Sequence, residues 1–135
     1  MTEFHLPPVR EENRVYASGK WSVLSSMLRH AADVDEKTDC LVIQYRAVSV
    51  DVVMRPEGNY WKRVLLTQDG KWLSRDIAGS DVKFDEKGRS CVEVWEPRLY
   101  NVIAVQPYGV HELRLYSQGK GLSVYSLSFG TSEIP

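Results

Sequence analysis

Cysteine and histidine are scarce in this sequence, and their scarcity limits the chemistry it can support. The 135 residues include two cysteines, Cys40 and Cys91, which form no C-x-x-C pair, and three widely spaced histidines. This spacing fits no zinc site, so we expect no metal and no cofactor. Reactive thiols usually need a helix N-terminus or cationic neighbours, which makes a redox pair the weakest interpretation. We expect two reduced, packed thiols, and a disulfide is the alternative in an oxidising compartment.

Charge of one sign and long apolar runs are also missing. The net charge is −1, so there is no basic field to attract a phosphate backbone, and we expect no nucleic-acid partner. No apolar run approaches the ~20 residues of a membrane helix, which predicts no membrane insertion. The opening residues are acidic and proline-rich where a signal peptide has a basic start and an apolar core. Considered as a complete chain, the protein would therefore be cytoplasmic.

Signatures of catalysis are absent as well. The sequence contains no G-x-S-x-G, no H-E-x-x-H and no phosphate-binding glycine loop. A carboxylate pair could support glycoside hydrolysis in principle, but no Asp or Glu is distinguished from the other acidic side chains. We therefore predict a binding domain and not an enzyme.

The sequence is rich in short strand patterns. Leu41, Ile43, Tyr45 and Ala47 fall on one face by two-residue alternation, and the alternation slips by one residue after Ala47. A second slip of this kind lies between Val124 and Tyr125. Such a slip indicates a bulge, a bend or a second strand. Asp69-Gly70 joins two apolar runs and predicts a hairpin. In all, about nine or ten short strands at spacings of roughly 8–12 residues are typical of an all-β sandwich or barrel.

The domain organisation follows from the turn and strand signals. Residues 1–12 are predicted to form a flexible arm without regular structure, because Pro7-Pro8 is followed by charged residues. Residues 13–130 form a single β-sandwich domain, and residues 131–135 form a tail. A helix from Ser25 to Ala32 is conceivable, but strands around a turn at Gly19 fit the pattern better.

A Glu-Pro-Arg interrupts two strand patterns and predicts a corner. Pro97 lacks the N–H that a central strand needs, so the segment must be an edge, a bulge or a crossing. We expect Arg98 to pair with Asp81 or Glu96, and Tyr100 to pack inward and bond through its hydroxyl. The alternative is that these side chains border a binding groove.

Aromatic side chains on loops and strand ends are the candidates for ligand binding. Sugar rings stack on indole and phenol rings, and nearby polar groups bind their hydroxyls. The candidate platforms are Tyr60, Trp61, Trp72 and Tyr108. A place in or at the edge of the core is the alternative for each. Trp21 and Trp95 are assigned to the core because apolar residues alternate around them.

Seven motifs in register resemble one family. They are G-x-W at Gly19, YRAVSVDVVM, VLLTQDGKWL, GSDVKFDEKG, EPRLYNVI, HELRL and GLSVYSLSFG. In this order they resemble the C-terminal domain of DipZ-type thioredoxin-like proteins, over Glu12 to Gly130. Tyr45 and Leu127 stand where that family has Phe.

The resemblance implies a jelly-roll β-sandwich similar to carbohydrate-binding modules. It implies a non-catalytic accessory domain, for which our first hypothesis is binding of a glycan or similar extended ligand through exposed aromatics. The alternative is a protein-interaction or scaffolding domain, associated with a thioredoxin-like partner or forming a homo-oligomer. As a segment of a DipZ-type parent, the chain would be periplasmic or extracytoplasmic.

Overall fold

Twelve strands make up the regular structure of the chain. The computed structural model describes residues 2–24, 27–31, 39–58 and 60–131, and no helix occurs within these ranges. The strands are β1 (Thr2–Phe4), β2 (Val15–Leu24), β3 (Met27–His30), β4 (Cys40–Arg46), β5 (Ser49–Pro56), β6 (Lys62–Gln68), β7 (Lys71–Trp72), β8 (Val82–Phe84), β9 (Ser90–Val94), β10 (Arg98–Ile103), β11 (Val110–Gln118) and β12 (Leu122–Gly130). The predicted all-β class is confirmed.

The strands form two antiparallel sheets that share β2. They follow the order β10-β5-β12-β3-β2-β4-β11-β6-β9-β8, with β1 beside β2 and β7 beside β6. The second half of β2 pairs with β3 in the first sheet. The first half pairs with β4 in the second sheet. A single strand therefore closes one side of the sandwich, and the apolar faces of both sheets pack against each other.

Gly19 marks the point where β2 passes between the sheets. Its φ is 98°, a conformation that favours glycine, and a Cβ there would overlap the carboxyl group of Asp39. The expected turn at Gly19 was wrong, because the positive φ bends one continuous strand. The conceivable helix after it was also wrong over Met27–His30, which forms β3; Ser25, Ser26 and Ala32 lie outside the described residues.

The predicted irregularities of the strands have clear structural forms. The slip after Ala47 separates two strands, because β4 ends at Arg46 and β5 begins at Ser49. A second slip is a bulge in β12 between Val124 and Ser126. The predicted hairpin is confirmed between β6 and β7, where Asp69 and Gly70 both have positive φ. Such a pair matches the twist of the flanking strands.

The main core lies between the sheets and contains mostly aliphatic side chains with three large aromatic groups. Trp21, Tyr45 and Tyr100 are almost fully buried there. A network of polar side chains crosses this core, in which Tyr45 donates to Gln68 and Gln106 Nε2 donates to the Tyr45 hydroxyl at 2.9 Å. Because these buried polar groups hydrogen-bond to one another, each of them keeps a hydrogen-bond partner inside the core.

A second, smaller apolar cluster lies on the outer face of the second sheet, turned away from the main core. It consists of Cys40, Val42, Leu65, Cys91 and Tyr116. Leu6 packs against it from the N-terminal segment. The expectation that residues 1–12 contain no regular element was wrong, because β1 pairs with the middle of β2. β1 is held by its pairing with β2, and Leu6 is held by its packing against the outer apolar cluster.

The buried side chain of His30 links Asp39, which lies beside the bend in β2, to the turn between β11 and β12. His30 Nδ1 lies 2.9 Å from the carbonyl oxygen of Gly119, and Nε2 lies 2.8 Å from Asp39 Oδ2. The His30 ring thus lies between a backbone carbonyl oxygen and a carboxylate oxygen, both of which are hydrogen-bond acceptors. Asp39 also accepts the backbone N–H of Lys20, beside Gly19.

Replacement of Asp39 should therefore weaken the fold. Asp39→Ala leaves His30 Nε2 buried without an acceptor, and we expect a loss of about 3 kcal/mol in the free energy of unfolding. Urea denaturation followed by tryptophan fluorescence measures it. Asp76→Ala, at an exposed position, is the matched control and should change stability by less than about 0.5 kcal/mol. Equal midpoints for the two variants would contradict this assignment.

Candidate functional site

Tyr100 holds the corner between β9 and β10. Its ring is buried, and its hydroxyl donates to the carbonyl oxygen of Glu96 at 2.7 Å. The Tyr100 hydroxyl oxygen in turn accepts the backbone N–H groups of Trp95 and Glu96 at 3.2 and 3.3 Å. The tyrosine thus supplies the bonds that the chain cannot make across Pro97, and it fixes the direction of the Trp95 backbone.

Arg98 is tied mainly to Asp81. Two guanidinium nitrogens lie 2.7 and 3.3 Å from the Asp81 carboxylate. Glu96 is a weaker partner at 3.7 Å. The Arg98 guanidinium also lies 4.0 Å from the centroid of the Tyr100 ring. Because 42% of the Arg98 side chain is exposed, the pair is a solvent-screened tie at the corner and contributes about 1 kcal/mol at most.

Asp81 has a second role in the same corner. Its Oδ2 accepts the backbone N–H of Asn101 at 2.7 Å, which joins the loop before β8 to β10. The hydrogen bond from Arg98 and the Asn101 N–H lower the pKa of Asp81 below its ordinary value of 3.8. The charged carboxylate is therefore the form that the folded structure favours.

The contribution of Asp81 to stability should depend on pH. Because its pKa is lowered by folding, the stabilisation is present above the ordinary value of 3.8 and is lost as the pH falls through the folded pKa. Asp81→Asn should cost about 1 kcal/mol at pH 6.5, and the cost should be smaller at pH 3. Denaturant titrations at both pH values measure it, with Glu86→Gln, at an exposed position outside the corner, as the control. The same cost at both pH values would show that the charge is not involved.

Trp61 and Trp95 form a stacked pair at one end of the second sheet. Their ring centroids are 5.5 Å apart and the planes differ by 29°. Trp95 is 61% exposed and Trp61 is 38% exposed. The assignment of Trp95 to the core was wrong. In β9 the side chains of Val92 and Val94 face the main core, so Trp95, one residue further on, points to the outer face.

A row of charged side chains lies beside this pair on the outer face. The guanidinium of Arg63 lies 5.6 Å from the centroid of the Trp61 ring. Arg63 is opposite Glu93 in the β6–β9 pairing, and Lys83 Nζ lies 2.8 Å from Glu93 Oε1. Hydrogen-bond donors and acceptors on neighbouring strands therefore lie beside the two exposed indoles.

The other three predicted platforms do not join the stacked pair. Trp72 is opposite Thr67, at the far end of β6, where it is partly buried against the outer cluster. Six residues of extended strand separate this point from Trp61, or about 20 Å. Tyr60 is 77% exposed beside Trp61, and Tyr108 is 57% exposed in the loop before β11. The start of β11 lies beside Asp69, so Tyr108 is also at the far end.

Sequence reasoning missed Trp95, Arg63 and Glu93 as members of this surface. The signal that could have found them is the period of two along β6 and β9, counted outward from the buried Val64 and Val92. This alternation is hard to recognise in the sequence because the outer face of the sheet also carries buried apolar residues.

The two thiols are free, buried and far apart. Cys40 is opposite Tyr116, Tyr116 is opposite Leu65, and Leu65 is opposite Cys91. Three strand spacings separate the cysteines by about 14 Å, well beyond the ~7 Å limit for a disulfide. Burial raises the pKa of Cys40 to about 11 and also raises that of Cys91. The predicted reduced, packed thiols are confirmed, and neither is activated as a nucleophile.

Within the described ranges, no group of three or more His, Cys, Asp or Glu side chains is arranged to hold a metal ion. The same part of the chain contains no helix that is long and apolar enough to cross a membrane.

Residues 1–130 match the family described as the thioredoxin-like C-terminal domain. The chain belongs to this family. A search of curated proteins found no match. Family membership agrees with the seven motifs. The candidate site of this thioredoxin-like C-terminal domain is the outer surface of the second sheet around Trp61 and Trp95.

Proposed function

We propose that this thioredoxin-like C-terminal domain is a non-catalytic accessory domain that binds an extended glycan across the outer face of its second sheet. The observation that carries the proposal is the exposed Trp61–Trp95 pair. Large aromatic groups seldom remain this exposed in a cluster unless they contact a ligand or a partner. Similarity to carbohydrate-binding modules, inferred from the motifs, points in the same direction.

The chemistry of the outer face suits a sugar chain. The C–H face of a pyranose stacks on an indole, while the hydroxyl groups need donors and acceptors around the ring. Arg63 and Lys83 offer donors, and Glu93 offers acceptors, beside the aromatic pair. The face continues for about 20 Å to Trp72, a length that an extended ligand of several units would span.

The geometry of the indoles defines the binding mode. The rings stack on each other and do not lie side by side in one plane. A sugar therefore has one indole face available and not a platform of two coplanar rings. Trp95 is the more exposed of the two, so we assign it the stacking contact and assign Trp61 the role of supporting it from behind.

A protein partner is the second candidate for the same surface. The observation that favours it is the family assignment, which associates the domain with thioredoxin-like proteins. Tryptophan and arginine are also the residue types enriched at the energetic centres of protein interfaces. The partner would be a thioredoxin-like protein or a second copy of this chain. A glycan and a protein partner would both contact Trp95. Replacement of Trp95 therefore tests whether this surface binds a ligand, and the ligand used in the titration tests whether that ligand is a glycan or a protein.

Replacement of Trp95 should abolish glycan binding without harming the fold. Trp95→Ala removes a mostly exposed ring, so we expect no saturable heat on titration with the glycan that binds the wild type, and an unchanged melting temperature. Trp72→Ala is the matched comparison, and its melting temperature should fall because Trp72 packs against the outer cluster. Calorimetric titration against a panel of polysaccharides measures binding independently of tryptophan fluorescence.

Failure of the whole glycan panel would overturn the first candidate and favour the second. The next measurement would then be calorimetry with a purified thioredoxin-like protein, and sedimentation analysis of self-association. Loss of either interaction in Trp95→Ala would assign the surface to a protein partner. Glycan binding that survives in Trp95→Ala would show that the Trp61–Trp95 pair is not the site.

A further inference from the structure

Arg63 differs from the other arginines of the outer face because it has no carboxylate partner. Three arginines on or over this face have a carboxylate within 2.8 Å, in the pairs Arg46–Glu12, Arg10–Glu112 and Arg114–Glu112. Glu93 is opposite Arg63 in the β6–β9 pairing, but its carboxylate bonds to Lys83 at 2.8 Å. Among the described residues, Arg63 forms no ion pair, and its Nε has no hydrogen-bond partner.

The fold places the Arg63 guanidinium beside the aromatic pair. Its carbon lies 5.6 Å from the centroid of the Trp61 ring, and that centroid lies 5.5 Å from the centroid of Trp95. The two distances add to about 11 Å, which is the upper limit for the separation of the guanidinium from the Trp95 ring. The Arg63 side chain is only partly buried, so a ligand that stacks on Trp95 can also reach this positive charge.

A partly buried guanidinium without an anion is energetically unfavourable. Removing a charged group from water costs free energy unless an opposite charge or hydrogen bonds compensate for it. The Trp61 ring compensates for part of this cost through its contact with the cation, but it accepts no charge-assisted hydrogen bond. A carboxylate of the ligand would supply the missing partner, since its two oxygens match the fork of the guanidinium.

Positive charge also exceeds negative charge further along the same face. Glu112 accepts hydrogen bonds from both Arg10 and Arg114, so one carboxylate serves two guanidinium groups. Arg114 is opposite Thr67, which is four residues along β6 from Arg63, or about 13 Å. A ligand with repeated negative charges would therefore meet positive charge at both points.

We propose that the glycan bound by the outer face is acidic, and that Arg63 binds the carboxylate of a uronic acid unit. This inference rests on the proposed function and names the class of glycan. A hexuronic acid carries its carboxylate at the edge of the ring. One unit therefore stacks its C–H face on Trp95 while that unit or its neighbour directs a carboxylate to Arg63. A neutral sugar of the same shape leaves the guanidinium without a partner, so the surface discriminates against it.

Calorimetric titration of the full chain with matched acidic and neutral glycans tests the inference. The acidic probes are oligomers of galacturonate, mannuronate and glucuronate, and the neutral probes are their methyl esters and oligomers of glucose, mannose and xylose. We expect saturable binding of a uronate oligomer, and binding of its methyl ester that is weaker by about tenfold. Equal binding of acid and ester, or binding of neutral oligomers alone, overturns the inference and leaves the proposed function standing. No saturable heat with any probe overturns both.

Replacement of Arg63 tests the location of the carboxylate. Arg63→Gln should weaken binding of the uronate oligomer by about tenfold and so remove its advantage over the methyl ester. Arg63→Lys keeps the charge without the fork and should give an intermediate affinity. Arg75→Gln is the matched control, because Arg75 is exposed and its guanidinium also lies over a ring, 4.2 Å from the centroid of Phe84. An advantage of acid over ester that survives in Arg63→Gln, or is lost equally in Arg75→Gln, would show that Arg63 is not the contact.

Replacement of Glu93 gives a change of the opposite sign. Glu93→Gln removes the negative charge opposite Arg63 and keeps an oxygen acceptor, so binding of the uronate oligomer should tighten while binding of the methyl ester stays the same. General destabilisation of the fold cannot produce such a gain. Weaker binding of the uronate oligomer by Glu93→Gln would contradict the assignment of an acidic ligand to this surface.

Discussion

The passage of β2 between the two sheets is the constraint on which the rest of the structure depends. It needs a residue at φ 98° with no Cβ, because the carboxyl group of Asp39 occupies the space beside Gly19. The same carboxyl group binds the Lys20 backbone N–H and the buried His30. One acidic side chain thus joins the bend in β2, the end of β3 and the beginning of β4, and it keeps the two apolar faces in register.

The candidate binding surface on the outer face follows from the alternation of side chains along β6 and β9. Val64 and Val92 belong to the core, so the residues between and beyond them face outward or reach the end of the sandwich. On the outer face this produces the aromatic pair and its charged neighbours. At the end of the sandwich the same alternation directs Lys62 towards Gly121.

The regular features of the fold could be predicted from the sequence because they depend on local patterns. Alternation predicted the strands, the one-residue slips predicted the break after Ala47 and the bulge in β12, and Asp69-Gly70 predicted the hairpin. Gly19 could not be interpreted correctly, since a glycine with positive φ in a strand has the same local sequence as a turn. Trp95 was misplaced because the outer face has an apolar cluster of its own, which removes the contrast between polar and apolar positions. The stacked pair combines Trp61, just before β6, with Trp95, just after β9, and only the three-dimensional arrangement brings the two rings together.

The buried thiols have a consequence for the study of motion in this domain. Cys40 and Cys91 lie at opposite ends of one cross-strand row, and in the closed structure each is protonated and shielded. Alkylation of either thiol therefore requires the strands around it to open, and its rate reports the equilibrium of that opening. The natural sequence thus contains two internal reporters of local unfolding. Their relative labelling rates would show from which edge the second sheet begins to separate, without introducing any probe into the protein.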